Sequence, residues 1–163
     1  MVKDAKPRHD DGDDDKLLTP SPLDPQTHAE IQLLYRESTE TLRFVKAHQW
    51  KTVGATLLTY LGIVFIAGFV NAGPPLTQKF MGISIILCCA VIFTLIIYQF
   101  WMHNEITKID RMETYLSSYF AQIRAMKSRR EGNLHRYLLL SFMSVVVILG
   151  AVVVFLALNK IAL

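Results

Sequence analysis

The chain alternates between stretches crowded with charge and stretches that have none. Three runs, Thr52 to Val70, Phe80 to Trp101 and Leu138 to Leu158, contain no Asp, Glu, Lys, Arg or His. Each holds about 20 residues, or roughly 30 Å as a helix, which matches the hydrocarbon thickness of a bilayer. A soluble core of this size would interleave polar and apolar positions at a period of 3.6 or 2 instead of keeping them in separate blocks. Aromatic residues suited to a membrane–water boundary flank the runs: Trp50 before the first, Tyr98 and Trp101 closing the second, Tyr137 opening the third. The pattern predicts an all-α integral membrane protein with three transmembrane helices, at 52–70, 80–101 and 138–158.

Cations orient it. Residues 71–79 form a short turn, Asn-Ala-Gly-Pro-Pro-Leu-Thr-Gln-Lys, with Lys79 its single cation, and the tail 159–163 has only Lys160. The approach to the first span carries Arg36, Arg43, Lys46 and Lys51. The connection between the second and third spans carries Lys108, Arg111, Arg124, Lys127, Arg129, Arg130 and Arg136. All cation-rich segments fall on one side, and the positive-inside rule makes that side the cytoplasm: N-terminus in, C-terminus out.

Outside the spans, residues 1–24 combine Asp10, Asp11, Asp13, Asp14 and Asp15 with Pro7, Pro20 and Pro22. Such a tail buries too little apolar surface to offset its chain entropy, and disorder is expected. The aspartates lack the glycine and glutamate spacing of a calcium loop. From Pro25 a helix is expected, with Asp24 as N-cap, proline at its first position, and Thr27 with Glu30 spaced as a capping box. Ile31, Leu34, Leu42 and Val45 recur at helical spacing through residues 25–51, and nothing breaks the helix before the first span. After the second span, Ile109, Met112, Leu116, Tyr119, Ile123 and Met126 alternate steps of three and four. This heptad pattern predicts a second amphipathic cytoplasmic helix over 102–131, ended by Gly132-Asn133. A straight helix of that length would end roughly 40 Å from the membrane, too far for the few residues left before the third span. The segment therefore tilts onto the surface, bends back near Ser117-Ser118, or hands over to a third span that starts as a cytoplasmic helix. Its apolar stripe is read as a helix–helix contact, with Arg124, Lys127, Arg129 and Arg130 as the competing case for anionic headgroups.

Composition adds exclusions. The net charge of +3 is too small to point to nucleic acid. The two cysteines, Cys88 and Cys89, are adjacent inside an apolar run and make neither a disulfide framework nor a zinc motif. The polar opening of the chain does not resemble a signal peptide. The span serines Ser84, Ser141 and Ser144 have no base within their runs, no nucleotide-binding or His-Glu-x-x-His motif occurs, and no ionisable residue sits inside a span. An enzyme or a self-contained ion-coupled carrier is not expected, and no cofactor is called for. Two constellations stand out. His48, His103 and His135 all lie just outside their spans on the same side, and together would suit a metal or edge a haem or quinone pocket. Thr52, Thr56, Thr59 and Gly62 mark one face of the first span, fit for close helix packing or for lining a narrow pore.

The function expected is that of a non-catalytic accessory or assembly subunit. It would contact the lipid bilayer and other membrane-protein subunits, or itself, through its spans and cytoplasmic helices. The alternatives are a homo-oligomeric channel or membrane-permeabilising effector gated through those helices, and a metal- or cofactor-bearing anchor. The compact chain and the lack of Asn-x-Ser/Thr sequons favour a bacterial inner membrane.

Overall fold

The computed structural model describes residues 20–118, 120 and 129–162, and every described element is a helix. There are three: α1, Pro25–Phe69; α2, Pro74–Glu113; and α3, Arg129–Ala162. Each contains a stretch long and apolar enough to cross a membrane. No strand occurs among the described residues.

Helix α1 is one unbroken element of 45 residues. Its first turn is fixed by the Asp24 carboxylate, which accepts from the backbone N–H groups of Gln26 (3.1 Å) and Thr27 (3.0 Å). Pro25 takes the first helical position, where its missing N–H costs nothing. The capping hydrogen bonds fall to Asp24, and Thr27 lies inside the first turn. Those bonds also hold the Asp24 carboxyl below its usual range: the hydrogen bonds with Thr27 dominate over a small opposing effect of burial. The helix ends in a Schellman motif. Asn71 takes the left-handed conformation (φ 47°), Ala72 N–H bonds to Ala67 C=O at 3.0 Å, and Asn71 N–H bonds to Gly68 C=O at 3.3 Å. Asparagine tolerates that backbone better than most side chains. Gly73 then N-caps α2, with Pro74 and Pro75 in its first turn. The buried Thr77 hydroxyl donates to Gly73 C=O at 2.9 Å and approaches Ala72 C=O at 3.2 Å, clasping the hairpin from inside.

Every helix packs on the other two. Near the hairpin, Tyr60, Ile63, Ala67 and Ala72 meet Val154 and Leu158; further along, Val53 meets Val91, Leu95, Met143 and Val147. These partners make α1 and α3 parallel, with α2 antiparallel to both. The inward positions, such as 45, 49, 53, 56, 60, 63 and 67 on α1, step by threes and fours. That is the spacing with which side chains of one helix fill holes in its neighbours at a small crossing angle. Between α1 and α3 the approach depends on Gly150. A Cβ there would lie 2.9 Å from Tyr60 Cδ2 and 3.0 Å from Leu57 Cδ2.

Helix α2 runs past its apolar stretch but does not reach residue 131. It ends at Glu113, and residues 114–117 form a turn. Thr114 Oγ1 donates to Arg111 C=O (2.7 Å), and the Ser117 hydroxyl accepts from Phe120 N–H (3.4 Å) as a cap for the helical turn that follows. Hydroxyl side chains satisfying the backbone locally are what lets a helix stop here despite an apolar spacing that continues through it. Helix α3 already exists at Arg129 and runs through Gly132 and Asn133 without stopping. The roughly 1 kcal/mol that a glycine costs inside a helix is small beside the packing of a 34-residue helix. The course back to the third span therefore combines a turn near Ser117 with an early start of α3. Tyr119, Ile123, Met126, Arg124 and Lys127 lie outside the described residues, as do residues 1–19 of the acidic tail. Residues 20–24, expected to continue that tail, take a defined course: Ser21 Oγ donates to Tyr115 C=O at 2.8 Å, tying the start of α1 to the end of α2.

Candidate functional site

The residues that sequence spacing singles out separate in space. Val45 and Ile109 are fully buried, Ile31, Leu42, Met112 and Leu116 are half-buried, and Leu34 faces outward. Arg129 and Arg130 open α3. On α1, Thr52, Thr56 and Thr59 each turn the hydroxyl back onto their own helix, donating to the carbonyls of His48 (2.9 Å), Thr52 (2.7 Å) and Ala55 (2.9 Å). Thr56 is buried in the bundle, Thr52 and Gly62 are half-buried and Thr59 is exposed.

The three histidines do not converge. His48 is half-buried with its ring 4.2 Å from that of Phe44 and 6.4 Å from that of Tyr98 across the α1–α2 contact. His103 and His135 are exposed. Each stands one residue from an inward position, Met102 and Arg136, and one residue on a helix is a rotation of about 100°. Among the described residues no group of three or more His, Cys, Asp or Glu is placed to hold a metal. Shallow depressions lie on the outside of α2, over His103, Thr107, Arg111 and Tyr115.

What the helices bring together is different. One turn beyond the Val53–Leu95–Met143 layer, away from the hairpin, the inward positions become Gln49 on α1 and Gln99 on α2; two turns beyond, the inward position of α3 is Arg136. All three are buried, Gln99 to 7% exposure and Arg136 to 8%. Further out, Ser38 and Glu105 face each other, and Glu105 also takes Lys108 Nζ at 2.6 Å. Burial alone would raise the Glu105 carboxyl, but hydrogen bonds from Lys108 and Ser38, with the Lys108 charge and Trp101, hold it below its usual range. This end of the bundle therefore interleaves polar side chains with the buried Val45, Met102 and Ile109, and its Glu105 carboxylate is well supported.

Arg136 and Gln99 are not. Both polar atoms of the Gln99 amide are buried without a hydrogen-bond partner, as are Nε and Nη1 of Arg136 and Nδ1 of His48. The third guanidinium nitrogen, Nη2, reaches only the Tyr137 hydroxyl, at 3.5 Å, and the group lies 5.1 Å from the Tyr137 ring centroid. An unpaired buried charge costs about 3–5 kcal/mol, and a buried amide without partners adds about 1–3 kcal/mol. These positions were open to sequence reasoning: Gln99 falls four residues after Leu95 and is the one side-chain amide inside the three apolar runs, and Arg136 falls seven before Met143. Counting Arg136 among the connection's cations hid its place on the inward face.

Comparison with protein families, with curated proteins and with solved structures finds no match to this chain.

Proposed function

We propose that the protein is a non-catalytic, multi-pass membrane protein that works by contact, as an accessory or assembly subunit of a larger membrane complex. The cation-rich end, which carries Arg36, Arg43, Lys46 and Arg111, faces the cytoplasm, and the Asn71–Gly73 hairpin faces outward. The compact chain supports reading that bilayer as a bacterial inner membrane. One observation carries the contact reading. Leu33 and Leu34 are 67% and 51% exposed on a stretch of α1 that also carries Arg36, Glu37 and Glu40. Leu34 is 18 residues before Thr52, so a straight α1 places it roughly 27 Å beyond the apolar run, out of reach of the hydrocarbon. Neighbouring large apolar side chains exposed on a charged, water-side rod are the mark of a surface that another protein covers.

The homo-oligomeric channel has less to stand on. The core positions between the described helices are filled by the two apolar clusters, and the threonine hydroxyls of α1 are engaged by their own helix. Any pore would have to form between copies.

Native mass spectrometry of the full chain gently extracted from its own membrane tests the proposal. Stoichiometric foreign subunits that are lost from a Leu33→Glu/Leu34→Glu variant are expected. A closed ring of identical copies, unchanged by that variant, would overturn it in favour of the channel, which planar-bilayer conductance would then measure.

A further inference from the structure

Arg136 presents a chemical problem that the described chain does not solve. A lysine or histidine in its position could shed its proton and become neutral; a guanidinium cannot. The ion pairs Arg36–Glu40 and Lys108–Glu105 do not include Arg136. Its single polar contact, at 3.5 Å, and its ring contact are both to the adjacent Tyr137 of the same helix, so no other helix supplies it with an acceptor. Gln99, from α2, is buried at the same end of the bundle with its NH2 donors equally unused. Two helices thus hold strong donors, more than nine-tenths buried, that no acceptor engages.

We propose that Arg136 and Gln99 form a binding site for a phosphate-type anion. A phosphate fits this donor set because its several oxygens accept from different directions, one from each helix, and guanidinium–phosphate hydrogen bonds are among the strongest available to a side chain. Two sources share that chemistry, the headgroup of an acidic phospholipid and free inorganic phosphate. The depth of the site favours the lipid. Arg136 stands two residues before the apolar run that opens at Leu138, and Trp50, Trp101 and Tyr137 all present exposed rings at this boundary, where headgroups lie. The site goes beyond the accessory-subunit reading and does not depend on it: subunit composition tests that reading, and anion binding tests this one.

The test is thermal unfolding of the purified full chain in a neutral, phosphate-free detergent, titrated with phosphatidylglycerol, with phosphatidylcholine, or with inorganic phosphate. Phosphatidylglycerol is expected to raise the unfolding temperature of the wild type by several degrees. The Arg136→Gln protein should need at least about tenfold more of it for the same shift. Without any anion, Arg136→Gln should unfold at the same or a higher temperature than the wild type, since it no longer buries an unpaired charge; with the anion the order reverses. A purely structural arginine would not produce that crossing. A shift from inorganic phosphate alone, with the same dependence on Arg136, supports the site and names the free anion as its ligand. Should Arg136→Gln fail to fold, Gln99→Leu takes its place, with a several-fold weaker response expected. No shift in the wild type with any of the three titrants overturns the proposal, as does a response that neither substitution changes.

Discussion

From Val53 to Leu158 the three helices meet through Val53, Tyr60, Ile63, Val91, Leu95, Met143, Val147 and Val154; one to three turns further along the same inward faces stand Gln49, Gln99, Arg136 and Glu105. The helical spacing is common to both regions, but what fills it is not. In the apolar region stability comes from shape: lipid is as apolar as the core, so burial between helices brings little hydrophobic gain and close fit decides. Gly150 is the clearest case, a missing side chain that lets α3 approach Tyr60 and Leu57. In the polar region fit is secondary. There Glu105 is served by Lys108 and Ser38, while Gln99 and Arg136 are left with donors unused. A regular array of inward positions can therefore be a packing device in one half of a bundle and a reservoir of unmet hydrogen-bonding capacity in the other.

Substitutions should distinguish the two halves by sign. The largest effect is expected from Gly150→Leu, which would drive a side chain into Tyr60 and separate α1 from α3. A loss of about 3 kcal/mol or more, read as reversible unfolding in mixed detergent micelles, is the expected outcome, with Gly150→Ala costing about 1 kcal/mol. Unchanged stability in both would mean that the close approach of these helices is not a source of fit. In the polar half the sign reverses. Gln99→Leu, measured without anions, should stabilise the protein by about 1 kcal/mol, because it removes an amide that is buried without partners. Destabilisation by that change would show the amide to be satisfied and would erase the contrast.

Acid provides a smaller and more local test. The Glu105 carboxyl is held below its usual value of 4.5 in the folded protein, so its contribution is fully present above that value. It is lost as the pH falls through the lower, folded value. Lys108 is largely exposed, which limits the size of the effect. A Glu105→Gln protein should show a flatter loss of stability below pH 4.5 than the wild type; parallel curves would assign the acid sensitivity to other carboxylates. The smallest effect belongs to Ser21→Ala. It removes one partly exposed hydrogen bond to Tyr115 and should cost no more than about 0.5 kcal/mol, while speeding amide exchange in the first turn of α1 relative to the rest of that helix.

The parts of this architecture that were legible in the sequence are those set by long runs. Twenty residues without charge indicate a span, and the unbroken stretch from Pro25 onward, without glycine or proline before Gly54, indicates one long helix. The end of α2 was not legible in the same way. Ile109, Met112 and Leu116 keep the heptad spacing across the place where the helix stops, so periodicity gives no signal. The decision is made by Thr114 and Ser117 hydroxyls and by the short return to the third span. Gly132-Asn133 misleads in the opposite direction, because a local preference of about 1 kcal/mol is outweighed by the packing of the helix to which it belongs. The histidines drew attention by residue type, but a helix selects by angle. Their neighbours Met102 and Arg136 hold the inward direction, and His103 and His135 are turned away.

The absence of any joint in α1 has a mechanical consequence. Forty-five residues make a rod of roughly 67 Å, of which less than half lies in the first apolar run. No proline, π-turn or glycine pair interrupts it between Leu33 and Tyr60, so it has no hinge in which a movement could be absorbed. A sideways push at the exposed tip, near Leu33 and Leu34, is delivered as leverage at the fulcrum where Tyr60 rests against Gly150. The two features at opposite ends of this helix are thus rigidly geared to each other.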